Sequence, residues 1–165
     1  TDGVFPTHLT DYTSRNYAVT GTFTETSSLP SAGTATYRGG MYGNHMQGLA
    51  DMVLEGDALF AVNWGTEVIS GGFTNVKQTY NNSTTTLGDF TMVDFSGNPH
   101  AVSISEGNFQ SAIQGPSFNA WSAGASAIVG DFFGPTGEEI GGTWHFYKNN
   151  DWSGAAAGYF AAGRE

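Results

Sequence analysis

The chain has 165 residues, of which 39% are hydrophobic, 14% aromatic and only 12% charged, and this composition is typical of one packed β domain with many turns. Five basic residues face fifteen acidic ones, so the formal net charge is -10, which excludes the cationic surface that nucleic acid binding requires. No apolar run approaches the roughly 20 residues of a membrane span, so we expect no membrane insertion. The chain contains no cysteine, which excludes disulfides and thiolate metal sites.

The first 30 residues are polar and predict an N-terminal arm or handle remnant, with the remainder, 31–165, forming one domain. Within the arm, Asn16–Glu25 reads as one short strand, and Ser27–Gly33 has the composition of a linker. The chain begins at Thr1 rather than at a methionine, and we take it as a mature or trimmed form.

From Thr34 onward, short segments of alternating apolar and polar residues follow one another with turn residues between them, and no segment has a helical period. This spacing predicts about eight antiparallel strands in a barrel or sandwich. The two-residue gap Gly65-Thr66 indicates a hairpin. The strand-like segments are TATYRGGMYG (34–43), ALFAVNW (58–64), EVISGGFTNV (67–76), TTLGDFTMVDF (85–95), HAVSIS (100–105), NFQSAIQG (108–115), ASAIVGDFFG (125–134), GTWHFYKNN (142–150) and GAAAGYFAAGR (154–164).

The order of the glycine–aromatic segments resembles the β-barrel domain of the transferrin-binding protein B family, which includes factor H-binding protein and haemophilin-type proteins. The most specific segment is GDFFGPTGEEIGGTW, from Gly130 to Trp144, and the resemblance covers about Gly33 to Gly163. It implies an eight-stranded antiparallel up-and-down β-barrel, secreted or at the outer-membrane surface of a Gram-negative bacterium. It also implies binding of host iron carriers, other host proteins or haem.

The chain departs from this family in three respects. Its N-terminal segment is too short for a full handle domain, it carries no lipidated cysteine, and it lacks lysine-rich surfaces. For this reason the resemblance predicts the fold more strongly than it predicts the partner.

The segment GDFFGPTGEEIGGTW has two interpretations. Its adjacent glutamates are candidates for the paired carboxylates of glycoside hydrolysis, but that chemistry needs two carboxyl groups about 5–10 Å apart across a bond, and adjacent residues splay apart. We therefore predict a structural connection between two strands, with proline in the first position of a short helical turn and the glycine pair adopting φ values that other residues resist. The residues of this structural motif are Gly134, Pro135, Glu138, Glu139, Gly141 and Gly142.

Three residues are candidate haem ligands. His45 and Met46 lie in the loop-like stretch MYGNHMQG, and His145 lies in the strand-like TWHFY. Histidine and methionine both ligate haem iron. The alternative is a solvated loop histidine beside packing methionines, and a strand histidine that faces either the lumen or water.

Aromatic residues in polar stretches are candidate partner contacts, because exposed tyrosine and tryptophan often anchor interfaces. Trp121 and Trp152 lie in Gly/Ser-rich stretches, and Tyr12 and Tyr17 lie in the N-terminal arm. The alternative is that such aromatics fold back over the barrel end.

Together these features predict a non-enzymatic binding protein that holds a protein partner or haem through loops at one barrel end. No nucleophile elbow and no phosphate-binding loop occur in the sequence. The sequence establishes no cofactor, and haem is the candidate. The alternative is a structural subunit of an extracellular filament or surface layer, a homo-oligomer in which the N-terminal arm adds a strand to a neighbour. The sequence leaves open whether the lumen is filled or hollow, since eight-stranded barrels can be either.

Overall fold

The computed structural model describes residues 9–11, 14–47, 50–94, 96–116, 126–148 and 151–165, which form β-strands joined by short turns. The described part contains a single 3-10 turn, Thr26–Ser28, and no α-helix. In chain order the strands are β1 (Leu9–Asp11), β2 (Ser14–Asn16), β3 (Thr34–Gln47), β4 (Ala50–Asn63), β5 (Val68–Tyr80), β6 (Ser83–Val93), β7 (Val102–Ser103), β8 (Asn108–Gln114), β9 (Ala127–Phe133), β10 (Glu139–Lys148) and β11 (Asp151–Arg164).

Eight of these strands form a closed antiparallel barrel, as predicted. β3, β4, β5, β6, β8, β9, β10 and β11 pair in sequence order. β11 then returns to β3, from Gly154↔Gln47 to Arg164↔Tyr37. Closure gives every wall strand a partner on both sides, which reduces the exposed edge that promotes aggregation. The shortest pairing is that of β6 with β8, which covers only Thr91–Val93 of β6. The hairpin at Gly65-Thr66 is confirmed by the pairing of Asn63 with Val68 across it.

Aromatic side chains from opposite strands fill the lumen. The ring of Phe160 on β11 lies with its centroid 5.2 Å from that of Phe60, 5.7 Å from Phe73 and 6.3 Å from Phe109. None of the four is more than 1% exposed. Burying a side chain of this size stabilises the fold by about 1.5–3 kcal/mol. The barrel is therefore a packed core rather than a hollow container.

Glycines in the wall allow strands and rings to approach closely. A Cβ placed on Gly158 would lie 2.1 Å from the carbonyl oxygen of Tyr42 and 2.4 Å from the indole of Trp144. The Trp144 ring fills the space that a side chain at Gly158 would need, and its Nε1 donates to the carbonyl of Tyr159 at 3.1 Å.

Two local predictions were wrong. The segment HAVSIS is not one continuous wall strand: β6 pairs with β8 from Thr91↔Gln114 to Val93↔Ala112, so HAVSIS lies in their connection, 94–107. Within HAVSIS only β7 is a strand, and it joins the barrel sheet beside the start of β5. Val102 and Ile104 alternate because both are partly buried and pack against the core.

The N-terminal segment also differs from prediction. Asn16–Glu25 is not one strand; beyond β2 it makes a single antiparallel bridge, Phe23↔Phe133. The predicted linker Ser27–Gly33 includes the end of the 3-10 turn and Leu29, which packs against the barrel core. The division of the chain at residue 30 stays a prediction.

The barrel has two distinct ends, set by the up-and-down order. We call the end that carries connections 64–67, 94–107 and 134–138 the motif end, because the GDFFGPTGEE segment turns there. We call the other, which carries connections 48–49, 81–82, 115–126 and 149–150, the loop end.

The close approach at Gly158 yields a stability prediction. Gly158→Ala places a methyl group against the Tyr42 carbonyl and the Trp144 ring, so we expect the free energy of unfolding to fall by about 1–3 kcal/mol or more. Gly163→Ala on the same strand is the matched control, because a Cβ there meets nothing within 4 Å, and it should change stability by less than about 0.5 kcal/mol. Urea unfolding followed by tryptophan fluorescence measures both, and equal midpoints for the two variants would contradict the packing described.

Candidate functional site

The three candidate haem ligands lie on different faces of the barrel wall. His45 is 3% exposed on the inner face, and its Nδ1 lies 2.7 Å from Oε1 of Gln78. On β11, His145 lies opposite Ala157 and His45 lies opposite Ala156. Because adjacent strand residues point to opposite faces, His145 points to the outer face. Met46, next to His45, is 40% exposed on the outer face.

These positions do not bring the three side chains to one iron. In the part of the chain that the structure describes, no group of three His, Asp or Glu residues converges on a metal position.

The predicted structural motif lies at the motif end and covers the lumen there. The hydroxyl of Tyr37 donates to the carbonyl of Gly137 at 2.5 Å. The ring of Phe132 lies 5.9 Å from that of Tyr37 and 5.1 Å from that of Trp64. The connection is thus bonded to β3 through Tyr37, and the ring contacts of Phe132 join β9 to β3 and to Trp64 beneath it.

Glu138 is held within the turn. Its carboxylate accepts from the backbone N–H of Thr136 at 2.9 Å and from the Thr136 hydroxyl at 2.7 Å. These hydrogen bonds, with the nearby Arg164 guanidinium, lower the pKa of Glu138 below its ordinary value. Arg164 closes the same turn from the C-terminus, since its backbone N–H donates to the Glu138 carbonyl at 2.7 Å.

The glycines of the motif have structural roles that differ from the predicted one. The expectation that Gly141 and Gly142 adopt unusual φ values was wrong: the positive φ values belong to Gly134 (87°) and Gly137 (74°), inside the turn. Gly142 is required for close approach, because its Cβ would lie 1.9 Å from the carbonyl oxygen of Val129. Pro135 lies in this turn.

Gly141 makes room for the segment 17–24, which we call the strap. A Cβ on Gly141 would lie 2.9 Å from Cγ1 of Val19. The strap crosses the outer face of the barrel, from Tyr17 over β3 and β11, past Val19 over β10, to Phe23 beside β9. No periodicity in the sequence marks this path, so it was not predicted.

Tyr17, a predicted partner contact, makes contacts within the chain. Its hydroxyl donates to Oδ1 of Asn44 at 2.5 Å, and its ring lies 6.0 Å from that of Tyr159. Asn44 in turn donates to Asp51 at 3.0 Å. Burial, with the neighbouring Tyr42, raises the pKa of Tyr159. This cluster attaches the strap to the wall.

The other predicted contacts belong to the loop end or lie outside the description. Tyr12 and Trp121 lie outside the described residues. Trp152 lies near the start of β11, at the loop end. The connection that contains Trp121 leaves β8 and enters β9 at this same end.

Two exposed aromatic residues were missed by the sequence analysis. Tyr80 is 44% exposed at the loop end, beside the turn Asn81-Asn82, whose φ values of 48° and 62° are those of a tight hairpin. Phe23 is 61% exposed on the strap. The available signal was an isolated aromatic in a polar stretch, TGTFTET for Phe23 and QTYNNS for Tyr80.

Comparison with known proteins identifies the family. The sequence profile of the C-lobe and N-lobe beta barrels of Tf-binding protein B matches residues 29–164. The chain therefore belongs to this family, and the resemblance seen in the sequence is confirmed. No curated protein matches the chain by sequence.

Solved structures of this family share the fold. The isotype 1 Transferrin binding protein B from serogroup B Neisseria meningitidis matches with a TM-score of 0.64 at 21% identity, over 100% of this chain and 32% of that one. A mutant of the vaccine antigen Transferrin Binding Protein B from Haemophilus parasuis Hp5 gives 0.64 at 18% identity, over 96% and 32%. A protein described as a surface lipoprotein gives 0.59 at 15% identity, over 98% and 81%.

The chain spans about a third of the length of the transferrin-binding proteins that it matches. Within the described residues, no helix has both the length and the apolar character needed to cross a membrane.

The hydrogen bond at the motif end yields a testable prediction for Tyr37. Burial raises the pKa of Tyr37 from 10.0 to about 12, with Glu138 adding to the rise and Arg164 opposing it. Because the folded state holds the proton more tightly, this contribution to stability is complete below pH 10 and is lost as the pH rises from 10 to about 12. Tyr37→Phe also leaves the buried Gly137 carbonyl without this donor, at a cost of about 1–3 kcal/mol.

The measurement is a titration of tyrosinate absorbance in the wild type and in Tyr37→Phe, and the difference between the two curves reports the ionisation of Tyr37. Circular dichroism follows the fold over the same pH range. We expect the tyrosine lost in the variant to ionise near pH 12 or together with unfolding. Ionisation near pH 10 in the folded protein would contradict the buried hydrogen bond. Tyr80→Phe, at an exposed position, is the stability control and should leave the unfolding midpoint unchanged.

Proposed function

We propose that the chain is a non-enzymatic binding protein of the bacterial cell surface or exterior, which holds a protein partner at the loop end of its barrel. The observation that carries the proposal is the exposure of two large apolar side chains at the loop end, where Tyr80 and Met46 are 44% and 40% exposed. At the motif end, the turn 134–137, Leu29 and Trp64 pack over the lumen.

The family supports a protein partner. The solved relatives are named as transferrin-binding proteins, and one further relative is named as a surface lipoprotein. Transferrin is therefore the partner that we propose to test first. A filled lumen supports the same view, because a partner too large to enter a barrel needs only its outer surface.

The charge of the chain supports a partner whose contact surface is neutral or basic. With a formal net charge of -10, association with such a surface is accelerated at low ionic strength and slowed by salt. The two exposed apolar side chains at the loop end, in contrast, supply contact area that salt does not screen.

The test is biolayer interferometry of the immobilised chain against iron-loaded and iron-free transferrin. We expect saturable binding to at least one form, and about fivefold or greater weakening in the double variant Met46→Ala, Tyr80→Ala, because central exposed side chains commonly contribute more than 1 kcal/mol. Val129→Ala is the matched control, since Val129 is also 40% exposed but lies in the middle of the wall on β9.

If Val129→Ala weakened binding equally, or if the double variant bound as tightly as the wild type, the interface would lie elsewhere than at the loop end and this part of the proposal would be wrong. If neither form of transferrin bound, this partner would be rejected.

A further inference from the structure

The strap and the motif connection enclose a groove on the outside of the barrel, which we call the strap groove. Its volume is about 700 Å³, and it is lined by residues 20–23 of the strap, by Glu25 and Ser28, and by 133–135 and 138–139 of the motif segment. We infer that the strap groove is a second docking surface, which takes an extended, cationic polypeptide segment that presents an apolar side chain. This inference does not depend on the partner proposed for the loop end.

The apolar base of the groove consists of two stacked phenylalanines. Phe133 faces outward from β9 and is 3% exposed, because Phe23 lies on it with ring centroids 5.0 Å apart and planes inclined by 28°. Phe23 itself remains 61% exposed, the largest exposure among the large apolar side chains that the structure describes. One face of its ring is thus used to cover Phe133, and the rest is available to an apolar side chain of a partner.

The backbone of the strap offers the second element of recognition. Thr24 N–H donates to the Phe132 carbonyl at 2.9 Å, and Gly134 N–H donates to the Thr22 carbonyl at 3.0 Å. In an antiparallel pair these two bonds flank the bridge Phe23↔Phe133, so the N–H and carbonyl of Phe23 point away from β9. A further extended segment would add to this edge, as in other cases of strand addition.

The negative charge of the groove favours a positively charged segment. The groove lining contains Glu25, Glu138 and Glu139, and no lysine or arginine. Glu138 is held ionised by Thr136, whose hydrogen bonds lower its pKa. Arg164 donates to the carbonyl oxygen of Thr136 at 3.3 Å and compensates part of this charge from the C-terminus. The net field at the groove is negative, in a chain whose total charge is also negative, so lysine or arginine flanking the apolar residue gives the complementary segment.

The groove is stabilised in this open form by contacts of its own. The hydroxyl of Thr24 donates to the Gly134 carbonyl at 2.7 Å, and Gly21 lies so close to Phe133 that a Cβ there would be 2.8 Å from its ring. These contacts hold the strap against β9 while Phe23 remains exposed, so a segment that binds needs no rearrangement of the wall.

The test uses the capped peptide KVKVKVK, whose lysines and valines alternate as in an extended strand, with EVEVEVE as the charge-reversed control. Binding to the full chain is measured by microscale thermophoresis at low and high salt. We expect saturable binding of KVKVKVK alone that weakens with salt. Phe23→Ala, and separately the double variant Glu25→Gln, Glu139→Gln, should each weaken it about fivefold or more.

The double variant Glu55→Gln, Glu67→Gln is the matched control, because it removes the same charge from exposed positions outside the groove. Binding should be unchanged in it. The inference is overturned if KVKVKVK does not bind, if EVEVEVE binds equally well, or if the control variant weakens binding as much as the groove variants. The loop-end variants Met46→Ala and Tyr80→Ala should leave peptide binding unchanged, so this result and that for transferrin are separable.

Discussion

The filled lumen is the constraint on which the rest of the structure depends. Phe160 meets rings from β4, β5 and β8 at 5.2–6.3 Å, so the barrel is stabilised across its diameter as well as around its wall. Close packing of this kind tolerates neither added volume nor lost volume without cost. Because these rings occupy the middle of the lumen, we propose that the barrel binds at its ends or on its outer face.

The position of the strap on the outer face of the barrel also follows from the filled lumen. Phe133 has no place in the filled lumen and faces outward, where Gly21 and Phe23 cover it. Gly141 leaves room for Val19 one strand further on. The most specific sequence motif of the chain therefore serves two purposes: its turn covers the motif end, and its glycines and Phe133 receive the strap. The exposed ring of Phe23 is a consequence of this arrangement and the basis of the strap groove.

Much of the fold followed from the sequence, because wall strands alternate and because glycine–aromatic patterns mark a barrel. The hairpin at Gly65-Thr66 and the closed order of eight strands were predicted. Two kinds of feature were predicted wrongly. The strap has no periodicity, because its path is set by contacts distant in sequence, and HAVSIS alternates over six residues although only Val102–Ser103 forms a strand. The candidate site was less predictable still. His45 and His145 are only one register position apart, but which face each occupies depends on strand register, and the exposure of Tyr80 and Phe23 depends on the assembled surface.

The most direct test of the account is hydrogen–deuterium exchange of the chain with and without saturating transferrin. If the partner is held at the loop end of a filled barrel, protection should appear in peptides spanning residues 46–52 and 78–84, while the motif end and the lumen-facing core of β11 exchange as in the free protein. Protection confined to the motif end, or a general change in the wall strands around Phe160, would contradict the claim that a packed barrel binds its partner from outside at the loop end.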